Sequence, residues 1–164
     1  MSSSNPRPVQ SDGRVHGVVV AIQRAEDGKW LLIRRSANLA VAPGKVCFPG
    51  GAVEVGEDQP SAVIRESREE LGIDVRPVRV CWRHDFKDKA LTLFGWTAKR
   101  VGDGEIRADP NEVAEILWLS GEEAVTHPDA IGTNGDFVAC LKREVEKEES
   151  AKARRREESR EGNS

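Results

Sequence analysis

The stretch that decides the fold reads GAVEVGEDQPSAVIRESREELGI, from Gly51 to Ile73. Asp58 and Gln59 precede Pro60, and proline suits a first helical turn because its missing N–H would have no partner there. Gly72 stands where a helix-ending glycine belongs. The spacing predicts a helix over residues 60–71. With Val63 set at zero and about 100° per residue, Ser67, Leu71 and Ile64 fall near ~40°, ~80° and ~100° and face a core. Glu66, Glu70 and Glu69 fall near ~300°, ~340° and ~240°, so three carboxylates share a face beside the apolar stripe. Ala62 falls near ~260° on the same side, small enough to leave room for ions. Such carboxylates repel one another unless hard divalent cations turn the repulsion into binding. Arg65 lies four residues before Glu69, a spacing that supports an ion pair.

Immediately upstream come Phe48, Pro49, Gly50 and Gly51, followed by Glu54, Gly56 and Glu57. Paired glycines let backbone approach a ligand closely. A loop that feeds a helix N-terminus is well placed to meet phosphate oxygens.

Glycine, then Glu57, Arg65-Glu66, Glu69-Glu70 and Gly72 at these spacings resemble the signature of the Nudix hydrolase family. Every charged and glycine position matches. Ser67 stands where that family has an apolar side chain; it points to the core, where its hydroxyl can bond the carbonyl four residues back. The looser resemblance covers residues 15 to 140 and implies an α/β fold, an α/β/α sandwich around a mixed sheet. It further implies that Glu69 and Glu70 bind metal, with Glu70 central. Glu66 would be a further ligand, or the group that orients or deprotonates water, and the Gly50 or Gly51 carbonyl would complete the shell. Gly51, Glu57, Arg65 and Gly72 would be structural, with Glu57 pairing Arg65. A later carboxylate is expected too: Glu112 first, Glu115 second. The implied cofactor is Mg²⁺, with Mn²⁺ as substitute. The implied reaction is attack of water on a P–O–P bridge in a nucleoside-diphosphate-X type substrate, a small-molecule partner. The alternative is a non-catalytic Nudix-fold nucleotide-binding module; the intact set of glutamates disfavours it, and disfavours an isomerase of isoprenoid diphosphates.

Candidate substrates are nucleoside triphosphates, nucleotide sugars, ADP-ribose, dinucleoside polyphosphates and coenzyme A. The segment from Leu31 to Gly51 is similar in part to that preceding the box in coenzyme A-cleaving members, without its histidine-containing middle. Arg34 and Arg35 read as phosphate contacts, since guanidinium binds phosphate at two points, or as a plain strand end. Trp82, Phe86 and Trp96 read as core aromatics, with base stacking as the other reading. His84 reads as a solvated loop residue.

Outside the box, residues 1–13 (with Pro6, Pro8 and Gly13) read as a flexible tail and 14–145 as one domain. Val15 to Ile22 and Trp30 to Ile33 read as strands of a hairpin, joined by turn chemistry at Ala25 to Gly28. Val75–Trp82, Ala90–Ala98 and Ile116–Leu119 read as strands, Ser120 as a helix cap, and residues 134–145 as the last helix. Residues 146–164 are a mixed-charge tail or helix extension. Charged residues make up 32% of the chain, yet the formal net charge is only -3, so there is no basic field for nucleic acid. Cys47, Cys81 and Cys140 show no CxxC pair, which argues against a disulfide framework or zinc knuckle. The chain lacks a secretory h-region and any run of ~20 apolar residues. The expectation is a cytoplasmic protein without membrane contact; a homodimer stays open.

Overall fold

The computed structural model describes residues 7–163. Seven strands and three helices follow in chain order: β1 (Val15–Ile22), β2 (Trp30–Arg35), β3 (Val46–Cys47), β4 (Gly50–Ala52), α1 (Gln59–Leu71), β5 (Asp74–Asp85), β6 (Leu91–Val101), β7 (Val113–Leu119), α2 (Gly121–Thr126) and α3 (Asn134–Glu161). A four-stranded mixed sheet has the order β4-β1-β6-β5, and a three-stranded antiparallel sheet the order β3-β2-β7. β1 and β6 run parallel, with Val18 opposite Phe94.

The expected β1–β2 hairpin does not form. Its turn is present, with Arg24 N–H donating to Lys29 O at 2.8 Å, and one bridge joins Gln23 to Trp30. Beyond that bridge the strands part: β1 takes β4 and β6 as neighbours, and β2 takes β3 and β7. Local turn chemistry is satisfied, but the long ladders to β6 and β7 win the pairing. β7 also starts three residues earlier than its apolar run suggested, at Val113.

Alternation along the strands builds two apolar layers. Val18, Val20, Ile22, Leu31 and Ile33 pack with Val63 and Leu71 of α1. Ala21 and Leu32 point the other way and pack with Trp82 and with Phe137 and Leu141 of α3. The result is the expected sandwich, with α1 on one face and α2 and α3 on the other. Gly95 permits the close approach of α3, since a Cβ there would meet the Phe137 ring at 2.5 Å.

The expected N-terminal tail lies partly outside the described residues. Within them, Gln10 donates to Val53 O at 3.0 Å and Val9 bridges Val15, so this part lies against the domain. The mixed-charge segment after residue 145 continues α3 as helix to Glu161. Among the described residues no helix is long and apolar enough to cross a membrane.

Candidate active site

α1 is fixed at both ends. The Asp58 carboxylate accepts from Ser61 N–H at 2.8 Å, and Gly72 ends the helix at φ 63, where its N–H reaches Arg68 O. A left-handed φ there favours glycine, and a Cβ would also meet Arg107 O at 3.0 Å. Ser67 is buried and its hydroxyl donates to Val63 O at 2.8 Å, as its place in the sequence predicts.

The wheel's acidic face is in fact split. Glu66 and Glu70 are buried under β4, whereas Glu69 is exposed. Ala62 is fully buried in the α1-side core. It makes no room for ions: the helix sits deeper against β4 than an amphipathic wheel implies, so the turn carrying Ala62 and Glu66 is drawn inward. The two glycines of β4 allow this. A Cβ on Gly51 would overlap the Glu66 carboxylate, and one on Gly50 would overlap Val18 O.

Glu70 accepts one hydrogen bond, from Gly50 N–H at 2.8 Å. Burial pushes its carboxyl up to about 8, against the lowering effect of that N–H; Glu66 and Glu112 add to the rise. Burial also raises Glu66, with Arg65 opposing. Arg65 gathers the remaining acids. It makes two bonds to Glu57, each of 2.8 Å, and one each to Glu66 at 2.8 Å and Glu69 at 3.2 Å. Its fourth partner is Ala52 O at 2.9 Å. Glu57 is held below the usual carboxylate range by Arg65. Loop, helix and β4 are thus tied through one guanidinium.

Glu112 stands near enough to Glu66 and Glu70 for its charge to raise both, and is itself raised by burial and by Asp109. Glu115 is elsewhere, paired with Arg34 at 3.1 Å. Arg34 also binds Asp129 at 2.8 Å and Gly44 O at 3.0 Å. Its Nε and Nη1 are thus engaged by protein, while Arg35 lines the cavity described next.

Among the described residues no three His, Cys, Asp or Glu side chains close into a metal-binding cluster. The expected set Glu66, Glu69, Glu70, Glu112 and Gly50 is neighbouring, but Arg65 draws Glu66 and Glu69 toward itself. The donor chemistry nonetheless fits a hard cation. Every donor is an oxygen, and Glu70 is a buried carboxylate with no cationic partner within salt-bridge range among the described residues.

On the other side of Gly50 and Gly51 lies a cavity of about 620 Å³, within the range of small-molecule sites. Arg35, Cys47, Phe48, Trp82, His84 and Phe86 are among its walls, as is the start of α3 at Asn134 and Phe137. His84 is no solvated loop residue: it lies on β5, stacked on Trp82 with ring centroids 5.7 Å apart and edge-on to Phe86 at 4.6 Å. Trp82, His84 and Phe86 alternate in sequence, and this period of two was the signal that β5 and the residue just past its end turn all three to one side. Trp96 points to the opposite layer, donating to Gln59 Oε1 at 2.7 Å. Asn134, which the sequence reading missed, is buried and donates to Val46 O at 3.1 Å and Ala124 O at 3.0 Å. It carries no sequence signal, because its partners are backbone carbonyls distant in the chain.

Fold and site define the class: an α/β enzyme whose glutamates sit beneath a glycine strand at the edge of a ligand-sized cavity. The sequence profile of the NUDIX domain matches residues 14–139. The chain belongs to the Nudix family and is a hydrolase of its pyrophosphohydrolase kind. It is 34% identical to an 8-oxo-dGTP diphosphatase of Escherichia coli (strain K12) over 128 residues, 77% of this chain and 95% of the relative. It is 36% identical to a CTP pyrophosphohydrolase of the same strain over 112 residues, 67% and 80% of the two chains. A solved MutT protein from Methanosarcina mazei Go1 superposes with a TM-score of 0.68 at 25% identity, covering 86% of this chain and 98% of that one.

Proposed function

We propose that the chain hydrolyses a nucleoside 5′-triphosphate to the monophosphate and pyrophosphate, with Mg²⁺ as cofactor and Mn²⁺ as substitute. One observation carries this reading: the aromatic cavity and the buried glutamates meet at Gly50 and Gly51. A base and sugar in the cavity would bring their phosphates to those glycines. The activities of the two Escherichia coli relatives, on 8-oxo-dGTP and CTP, support a nucleoside triphosphate over the bulkier candidates.

Glu70, Glu69 and the Gly50 carbonyl would hold the ion, with Glu112 closing the group from the β7 side. Bound Mg²⁺ supplies charge neutralisation at the phosphate oxygens and a more acidic water. Glu66 would orient the attacking water and take its proton, a role that suits a carboxyl raised by burial. Arg35, on the cavity wall, meets the phosphates. Arg65 positions Glu66 and Glu69 through its contacts at 2.8 and 3.2 Å. The cytoplasm is the compartment that fits such a substrate.

The test is a panel of diphosphate compounds with Mg²⁺ or Mn²⁺, scored for phosphate with and without added pyrophosphatase for the triphosphates, and with added alkaline phosphatase for the substrates whose diphosphate is blocked at both ends. A nucleoside triphosphate should be turned over with signal only when pyrophosphatase is present, and Glu70→Gln should remove the signal. Turnover confined to nucleotide sugars, ADP-ribose or coenzyme A would overturn the substrate assignment. Unchanged turnover in Glu70→Gln would overturn the metal assignment.

A further inference from the structure

α3 is 28 residues long, about 42 Å at 1.5 Å per residue. Its core stripe is Phe137, Val138 and Leu141, and Arg79 of β5 anchors the next turns through Glu144 at 2.9 Å and Glu148 at 3.9 Å. Past Glu148 the helix leaves the body. Among the described residues, no side chain from 149 to 161 makes an ion pair, and every described one is exposed. The only apolar residues from Glu146 onward are Ala151 and Ala153. A helix that is polar all round, with its charges unpaired, lacks the packing that normally holds one together.

The charges are nevertheless ordered. With Ser150 set at zero and about 100° per residue, Phe137, Leu141 and Glu144 centre near ~150°, so Ser150 faces away from the core. Around it, within about 60° on either side, lie Arg143, Glu146, Lys147, Ala153, Arg154 and Glu157. All of these are exposed. Turn this face over onto itself, antiparallel, with Ser150 on the twofold axis. Arg143 then meets Glu157, and Glu146 meets Arg154, each twice by symmetry. Lys142 and Glu158 form a further opposite pair at the edge. No like charges oppose each other on the face, since Lys147 falls on Ala153. Ser150 and Ala153 at the crossing are small enough to let the helix axes approach to about 8 Å.

We infer that the outward face of α3 from Arg143 to Glu157 is a docking surface for the same face of a second copy of this chain, paired antiparallel about Ser150. The bodies then lie at opposite ends of the helix pair, and each keeps its own cavity. Because almost all of the attraction is between exposed charges, the pairing is sensitive to salt.

The full chain should be examined by sedimentation velocity from about 0.01 M salt, where the screening length is about 30 Å, to about 1 M, where it is about 3 Å. A dimer is expected at low salt and a monomer at high salt. Glu146→Arg alone and Arg154→Glu alone should each be monomeric, since each sets like charges against one another. Mixing the two variants should give a one-to-one heterodimer, and the double variant Glu146→Arg/Arg154→Glu should dimerise like the parent. Circular dichroism checks that each variant keeps its helix. A monomer under all conditions overturns the inference. So does a dimer that ignores both single reversals, because it places the interface elsewhere.

Discussion

Glu70 carries a charge that its surroundings oppose. Its folded-state carboxyl is raised to about 8 by burial, whereas an unfolded glutamate titrates near 4.3. A raised value means that the protonated form favours folding. Without a divalent cation, stability should be full below about pH 4, fall as pH rises toward about 8, and level off above that. Glu70→Gln keeps the acceptor for Gly50 N–H and removes the charge. Melting temperatures across pH in a chelator should show the decline in the parent and its loss in the variant, which is then the more stable protein at pH 8. Parallel curves would show that Glu70 is not the opposed charge. Asn134 is the converse case, a buried amide whose nitrogen makes two hydrogen bonds. Its two bonds join β3, α2 and the start of α3. Asn134→Ala strands the Ala124 carbonyl, while Val46 O keeps the Ile131 N–H at 3.0 Å; the loss should cost about 1–3 kcal/mol, read from the urea midpoint at unchanged slope.

At the scale of elements, α1 was the most legible part of the chain. Its periodicity, Pro60 and Gly72 are local signals that agree with one another, and Ser67 was readable as a core residue that bonds backward; the structure adds the Asp58 cap. Asp58→Ala should cost about 1 kcal/mol, the usual worth of such a cap. A thermal shift near zero would mean that the Glu57–Arg65 pairing already holds the helix start. What the wheel could not show was depth. It assigned Glu66, Glu69 and Glu70 to one face, but the glycines of β4 decide that two are buried and one is not. The β1–β2 hairpin failed for a related reason. Turn residues are read locally, while pairing is settled by β6 and β7, some seventy to ninety residues away in the chain. Arg34 and Arg35 looked alike in sequence, yet successive side chains of a strand face opposite ways. One meets Asp129 and Glu115, the other the cavity.

For the whole molecule, the two apolar layers end with Leu141 of α3, and the charged extension adds nothing to either. A chain ending at residue 148 should therefore keep its melting temperature within about 2 °C, since losses of exposed surface contacts stay within about 0.5 kcal/mol. Its kcat/KM should be unchanged, as no residue beyond Phe137 lines the cavity. Trp82→Ala should act differently. It opens the second layer and removes a cavity wall, so KM should rise by more than tenfold while kcat on a saturating substrate falls less, measured on the best substrate of the panel. The cavity was the least legible feature because its walls come from distant strands and from α3. In the sequence Trp82 and Phe86 read as core aromatics and His84 as a loop residue, although their alternation fits one strand face.

The two glycines of β4 act as a party wall. On one side are the carboxylates, on the other the rings, with Arg35 the charged side chain that reaches both. Variation among Trp82, His84 and Phe86 can proceed without removing a charge that acts on Glu70, since the cavity's charged side chain that does so is Arg35. Lineages that share this wall are thus free to inherit one chemistry and diverge in diet, and a designer who redraws the ring side inherits the same freedom.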